Sequence, residues 1–236
     1  MTWIDRTLLF SSLDYAAVLL LFATWLGIGW RIENPSSQKP SVSLMMDDFR
    51  KVWMREMVTR KPRVFDAQVI SAMRQGSTFF ASTIMIAIGG GLALLGNTER
   101  LAGVAEDLAI GRAPAMVWEV KILIILLFLS NAFLKFVWSH RLFGYCAILM
   151  AAVPNDPDHP QAYARAAQAG DICITAARSF NRALRATYFA LASIAWILGP
   201  MALILSSAVT FGVLYRREFA SHSRTVMMTA PPNTES

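Results

Sequence analysis

The sequence predicts an all-α, polytopic membrane protein with four transmembrane helices, three of which extend into a cytoplasmic helical bundle. Of the 236 residues, 55% are hydrophobic and 16% are charged, whereas soluble domains have roughly 45–50% apolar and about 25% charged residues. Four stretches approach the length of about 20 apolar residues that a membrane-spanning helix needs. Backbone groups in lipid must be satisfied internally, which favours helices for these stretches.

Each predicted span is bounded by polar or turn residues. Arg31 follows the first span, Gly96 follows the second, Lys121 precedes the third, and Arg216 follows the fourth. Charged side chains are costly in the hydrocarbon region, so they mark where a span ends. The four predicted spans are residues 13–30, 77–95, 122–139 and 188–214.

The two long connections between spans have helical patterns of their own. Residues 43–76 carry apolar side chains at helical spacing with charges between them, and this helix is predicted to continue into the second span. Residues 142–187 are apolar and then alanine-rich, with an interruption at Pro154. We therefore expect one membrane domain, residues 1–220, followed by a disordered tail, residues 221–236.

Two further features complete the predicted organisation. Residues 98–112 form a short amphipathic stretch that is typical of an interfacial helix. Cys146 and Cys173 fall in the connections predicted to be cytoplasmic, a reducing compartment in which thiols stay free.

The Lys and Arg residues predict the orientation. The two long connections hold fourteen of them, the opposite side holds seven, and Lys135 lies within a span. Cytoplasmic loops carry the excess of positive charge, so both long connections are predicted to be cytoplasmic and both termini non-cytoplasmic, in a bacterial inner membrane. The Arg216-Arg217 pair is the exception, because it places a basic end on the predicted outer side.

The third span has the most unusual polar content. At about 100° per residue, four side chains share roughly one-third of the helix circumference: Lys121, Asn131, Lys135 and Trp138. Lys135 either snorkels to the cytoplasmic headgroups or faces the bundle, where it would need an anionic partner such as a lipid phosphate. We take these four residues as candidate anion or lipid contacts. Lys121 is either an interfacial anchor together with Glu119 or a partner of Asp14.

Spans two and four carry features of helix packing. Thr83, Ala87 and Gly91 are spaced by four residues, a pattern that lets helices approach closely, although the same inner half of the span could line a polar vestibule. Gly199 and Pro200 lie near the middle of the fourth span, where proline predicts a kink that is either static or a moving hinge.

No recognisable catalytic motif is present. The sequence lacks HExxH, CxxC, a phosphate loop and GxSxG, and its three histidines are isolated from one another. We therefore predict no enzyme activity, no cofactor and no metal. The predicted partners are the lipid bilayer, anionic lipids at the basic cytoplasmic face, and a second copy or another membrane protein. The net charge of +6 is explained by topology rather than by nucleic acid.

The chain resembles, over nearly its whole length, an uncharacterised membrane family known as domain of unknown function 599. The resemblance implies a multi-span membrane fold and no particular activity, and it draws attention to Lys121, Asn181, Arg185 and the Arg216-Arg217 pair as positions that the family pattern shares. It rests on Trp53-Met54 with Met57 and Arg60, Phe79-Phe80-Ala81-Ser82-Thr83, Glu119-Val120-Lys121, Phe136 with Trp138 and Arg141, Phe180-Asn181 with Leu184-Arg185 and Tyr188, Trp196 with Pro200, and Leu214-Tyr215-Arg216-Arg217-Glu218-Phe219.

Two functional hypotheses follow from the sequence. The first is an interaction or accessory subunit, or a self-assembling membrane protein, because packing motifs and basic surfaces occur without a catalytic set. The alternative is a small transporter or channel for an anionic solute that uses Lys135 and Asn131.

Overall fold

Helices make up the whole of the regular secondary structure in the part of the chain that the computed structural model describes, which is residues 9–98, 103 and 114–229. The helices are α1 (Ser12–Glu33), α2 (Val42–Met57), α3 (Val64–Leu95), α4 (Ala115–Ala151), α5 (Ala162–Ile194), α6 (Pro200–Phe219) and α7 (His222–Met228). Three of them, α1, α3 and α4, are long and apolar enough to cross a membrane. The predicted interfacial helix at 98–112 lies almost entirely outside the described residues.

The antiparallel pair α4 and α5 forms the centre of the molecule. The Ser139 hydroxyl donates to the carbonyl of Ala176 at 2.9 Å, and the Ser179 hydroxyl donates to the carbonyl of Lys135 at 3.0 Å. Alanine side chains fill the α5 face of this interface, and small side chains let two helices approach closely. α3 packs on the other side of α4, and α1 and α6 pack beside α5.

The core has two parts that are stacked along the helices. One part contains Phe128, Phe136 and Phe189, all at most 1% exposed, and joins α1, α3, α4, α5 and α6. The other contains Met54, Cys146 and neighbouring side chains from α2 and the adjoining ends of α3, α4 and α5. We call these the upper and the lower core. Serine hydroxyls mark the boundary between them, where Ser77 lies 3.4 Å from Ser139.

The helix predicted at 43–76 is two helices. α2 ends at Met57, and the chain then passes through residues 58–63, which include Pro62, before α3 begins at Val64. Proline offers no backbone N–H and clashes with a preceding helical turn, so the helix cannot continue through it. α2 therefore packs against α5, and only α3 continues into the predicted second span.

The predicted fourth span, residues 188–214, is also two helices. α5 ends at Ile194, a 3₁₀ turn covers Ala195–Leu198, and Gly199 has φ 122°, which side-chain-bearing residues rarely adopt. Pro200 opens α6 at a position where its missing N–H has no partner to lose. The chain reverses here, so the prediction of a kinked single span is wrong.

The reversal brings the end of α6 back to the end of α1. The Ser206 hydroxyl donates to the carbonyl of Ala192 at 2.8 Å, which fixes α5 and α6 as an antiparallel hairpin. The Arg31 guanidinium then lies 4.8 Å from the ring centroid of Phe219. The start of α1 and the end of α6 therefore lie at opposite ends of the bundle, and the membrane side of each terminus stays a prediction.

The predicted disordered tail at 221–236 begins with structure. Ser221 caps α7 by accepting a hydrogen bond from the N–H of Arg224 at 3.2 Å, and the Arg224 side chain donates to the carbonyl of Pro40 at 3.1 Å. The expectation of disorder is corrected for residues 222–228, and residues 230–236 lie outside the described part.

Candidate functional site

A polar cleft lies where α1, α2 and α5 meet, at the boundary between the upper and lower cores. Its cavity has a volume of about 250 Å³. The end of α1, the start of α2 and the middle of α5 supply its lining: Ile32, Glu33, Asn34, Ser43, Leu44, Asp47, Arg178, Asn181 and Arg185. We refer to this site as the interfacial cleft.

Glu33, the last residue of α1, lies between two arginines of α5. Arg182 donates to both of its carboxylate oxygens, at 2.9 Å and 2.5 Å, and Arg185 donates to Oε1 at 2.5 Å. Arg185 is only 7% exposed, so Glu33 is the counter-ion that makes its burial tolerable. The pair fixes the end of α1 against α5.

A second carboxylate in the cleft is held in the same way. Asp47 of α2 accepts from Arg50 at 3.3 Å through Oδ1, and from the Nε of Arg178 at 3.0 Å through Oδ2. Asp47 is 5% exposed. α2 and α5 are therefore joined by a carboxylate shared between two guanidinium groups.

The end of α6 closes the cleft from the third side. Glu218 accepts hydrogen bonds from the backbone N–H of Ser43 at 3.0 Å and from its hydroxyl at 2.9 Å. Ser43 lies in the first turn of α2, where backbone N–H groups lack helical partners and attract negative charge. Asn181 approaches the same hydroxyl at 3.5 Å.

A different cluster lies at the opposite end of the upper core. Lys121 is 8% exposed, and its ammonium lies 4.9 Å from the ring centroid of Trp118 and 5.8 Å from that of Trp196. The indole N–H of Trp196 donates to Asp14 at 2.8 Å, and Asp14 is the acidic group whose charge reaches Lys121. Lys121 and Asp14 thus both contact Trp196, and the two alternatives for Lys121, an interfacial anchor or a partner of Asp14, both stay predictions.

The lower core contains a buried acidic group outside the cleft. Asp66 is fully buried and accepts from the indole N–H of Trp53 at 2.7 Å and from the Arg60 guanidinium. Arg63 donates to the carbonyls of Val153 and Pro154, which caps the end of α4. These contacts fold the connection between α2 and α3 onto the rest of the lower core.

The two cysteines also lie in the lower core. Cys146 and Cys173 are free and fully buried, and the Cys146 thiol donates to the carbonyl of Ala169 at 3.4 Å across the α4–α5 interface. The neighbouring Cys146 thiol lowers the pKa of the Cys173 thiol. Among the described residues, no group of three His, Cys, Asp or Glu side chains is placed to hold a metal ion.

The candidate anion contacts of α4 do not form one site. Lys121 belongs to the aromatic cluster at the far end, and Trp138 is 49% exposed on the outer surface. Asn131 is half-buried and makes no hydrogen bond with another described residue. Lys135 is half-buried within electrostatic range of Glu33, Arg182 and Arg185, beside the interfacial cleft.

The candidate packing residues of α3 have different environments. Gly91 lies against α4, where a Cβ atom would stand 2.6 Å from Cδ2 of Leu126. Thr83 and Ala87 are exposed. Close approach of α3 and α4 therefore depends on Gly91, and the other two members of the stripe face away from the bundle.

The family comparison agrees with the resemblance seen in the sequence. A family model described as a protein of unknown function, DUF599, matches residues 16–223. The chain belongs to this family. No curated protein and no solved structure matches the chain. The match carries no activity, and the two residues of α5 that the sequence resemblance singled out, Asn181 and Arg185, both line the interfacial cleft.

Sequence reasoning missed most of the cleft. Glu33 and Asp47 are separated from their α5 partners by 149 and 131 residues, so no local pattern joins them. The available signal was the combination of Asn181 and Arg185, which lie four residues apart on one helix face, with the unexplained Arg216-Arg217 pair.

Proposed function

We propose that this DUF599 chain is a multi-pass protein of the bacterial inner membrane, in which the α5–α6 hairpin completes the bundle formed by α1, α3 and α4. Large apolar side chains are exposed around the upper core, for example Leu19 at 71%, Ile86 at 76% and Leu134 at 66%. In water so many exposed apolar groups would be unfavourable, whereas in a bilayer they contact lipid.

The polar clusters at the two ends of the upper core match the thickness of a bilayer. Asp14 and Glu33 stand near opposite ends of α1, and nineteen residues of helix span about 28 Å. The hydrocarbon core of a typical bilayer is about 30 Å thick. The interfacial cleft then lies at headgroup level.

The reversal at Gly199 makes the distribution of positive charge across the proposed membrane more uneven, and this supports one orientation of the protein. With the end of α6 on the same side as the cleft, that side carries 17 of the Lys and Arg residues that the structure describes, and the opposite side carries Lys121. The cleft side is therefore cytoplasmic by the distribution of positive charge, and the lower core becomes a cytoplasmic helical bundle. The Arg216-Arg217 pair is no longer an exception.

Within this membrane arrangement we infer an interaction or accessory role, which includes self-assembly. The observation that carries it is the sparse packing of α3, whose backbone lies mainly against that of α4. In the most apolar 18-residue stretch of α3, only 6% of the residues are buried. A long helix with an exposed small-residue face, including Ala87 and Gly90, suits contact with another membrane helix.

Native mass spectrometry of the protein released from its own membrane tests the accessory role. We expect an oligomer or a complex with another protein, and we expect Ala87→Trp to weaken it because the bulky side chain blocks close helix approach. Leu205→Trp, at an exposed position on α6, is the matched control and leaves the assembly intact. A bare monomer from unmodified membranes would contradict the proposal.

The alternative, an anion transporter using Lys135 and Asn131, has one supporting observation, the half-buried position of both side chains beside the core. The aromatic side chains of Phe128, Phe136 and Phe189 are nearly or fully buried and fill the upper core between the two ends. We therefore favour the accessory role. Lys135-dependent anion flux into liposomes would reverse that preference.

A further inference from the structure

We propose that the interfacial cleft binds a phosphate group through Arg178, Asn181 and Arg185. The inference rests in part on the proposed topology, which places the cleft at the level of lipid phosphates. The preference of the cleft for a phosphate group does not depend on that topology. It depends only on which hydrogen-bonding groups of the cleft already have a partner.

The spare hydrogen-bonding capacity of the lining side chains is mainly that of donors. Each lining carboxylate is shared by two guanidinium groups: Glu33 by Arg182 and Arg185, and Asp47 by Arg50 and Arg178. Arg178 uses Nε and Nη2 for Asp47, and Arg185 uses only Nη2 for Glu33. The remaining N–H groups of both arginines have no partner among the described residues, and a guanidinium has no acceptor.

The cleft carries more positive than negative side chains. Four arginines surround two carboxylates, and Lys135 lies within electrostatic range of the Glu33 pair. Glu218 is a further acid beside the cleft, and both of its oxygens are bonded to Ser43. An anionic ligand would therefore lower the net charge of the cleft, whereas a cation would raise it.

The contact of Glu218 with Ser43 shows that the start of α2 binds an anionic group. Its carboxylate occupies the N–H and hydroxyl of Ser43 as an external anion would at a helix N-terminus. Asn181 lies next to this contact and lines the cavity together with Arg185. The empty space of the cleft is thus bordered by an anion site that the chain itself fills and by arginines with donors to spare.

Phosphate fits these donors better than a compact halide does. Guanidinium groups bind phosphate oxygens through paired N–H groups, and the cleft presents two guanidiniums and an amide around one cavity of about 250 Å³. A lipid headgroup and free inorganic phosphate offer the same oxygens. The lining residues predict a phosphate group as the ligand. The experiment distinguishes the phosphate of a lipid headgroup from free inorganic phosphate.

The test measures the thermal midpoint of the full-length protein by intrinsic tryptophan fluorescence. In detergent, inorganic phosphate is titrated against chloride at matched ionic strength. In nanodiscs, phosphatidylcholine, whose phosphate is neutralised by its own choline, is compared with phosphatidylcholine plus phosphatidylglycerol, whose phosphate keeps its negative charge. Ligands that bind the folded state raise the midpoint in a concentration-dependent way. Stabilisation by phosphate indicates a free-phosphate site, and stabilisation by phosphatidylglycerol alone indicates a lipid site.

Two cleft variants and one control make the result specific. Arg178→Gln and Asn181→Ala change side chains that are not fully buried, and each is expected to weaken the apparent affinity, Arg178→Gln by about tenfold or more because a charge-assisted bond is lost. Arg165→Gln removes a charge from α5 outside the cleft and keeps the wild-type response.

The proposal is overturned if neither phosphate nor phosphatidylglycerol stabilises the wild-type protein, or if both cleft variants respond as the Arg165→Gln control does. The detergent titration does not depend on membrane orientation. If phosphate binds in detergent but the membrane orientation proves different from the proposed one, only the proposed function is refuted. The proposal that the cleft binds phosphate is then still supported.

Discussion

The Glu33–Arg185 ion pair gives the sharpest prediction about stability. Arg185 is 7% exposed and has Glu33 as its hydrogen-bonded counter-ion. Glu33→Gln leaves this guanidinium buried without a charge partner. Removing one member of a buried pair costs about 3–5 kcal/mol. The Glu33 side chain is 29% exposed, so water compensates in part, and we expect about 2–3 kcal/mol.

The assay is the thermal midpoint of the purified protein in detergent, followed by tryptophan fluorescence. A loss of this size corresponds to about 4–12 °C for a domain of this length. Asp48→Asn is the control, because its pair with Lys51 is exposed on both sides and contributes less than about 1 kcal/mol.

A double variant isolates the pairing itself. Glu33→Gln with Arg185→Met replaces a buried charge by an apolar side chain, which is often neutral for stability, so the double variant should recover most of the loss. Equal shifts for Glu33→Gln and Asp48→Asn, or losses that simply add in the double variant, would refute the reasoning.

Three further predictions concern packing, the hairpin and the thiols. Gly91→Ala should lower the thermal midpoint because the new Cβ would stand 2.6 Å from Leu126. The control Gly89→Ala meets nothing within 4 Å and should gain up to about 1 kcal/mol of stability from helix propensity. Equal shifts of the midpoint in the two variants would contradict the packing of α3 on α4. Gly199→Ala should cost about 1–3 kcal/mol because of the positive φ, with Gly212→Ala as the unstrained control, and an unchanged midpoint would argue against the reversal. Cys146 and Cys173 should resist maleimide in the folded protein and react after denaturation, and rapid labelling of the folded chain would contradict their burial.

The sequence predicted the apolar spans well because their signal is local. A run of apolar residues such as 122–139 has no reasonable alternative to a helix in lipid, and α4 contains it entirely. The stop at Pro154 is equally local, and α4 ends three residues before it. Both features depend on the chemistry of neighbouring residues.

The reversal at Gly199 could not be read in the same way. A glycine followed by a proline is compatible with a kink, a hinge or a turn, and the apolar pattern continues on both sides. The choice depends on tertiary contacts, such as the bond of Glu218 to Ser43, which is 175 residues away in the chain. The misplaced Arg216-Arg217 pair was the sequence signal that the single span was wrong.

The candidate site was predicted only in part for the same reason. Lys135 was identified because a lysine within a span is unusual, and the structure places it beside the cleft. Glu33 and Asp47 look like ordinary charged residues at helix ends, and only the packing of α1 and α2 against α5 shows that they hold buried arginines.

The central claim is that the chain turns back at Gly199 and ends on the cytoplasmic side with the interfacial cleft. Paired fusions of green fluorescent protein and alkaline phosphatase after residue 236, compared with the same reporters inserted at residue 60, measure this directly. The account predicts fluorescence and no phosphatase activity at both positions. Active phosphatase after residue 236, together with fluorescence at residue 60, would contradict it by placing the two positions on opposite sides of the membrane.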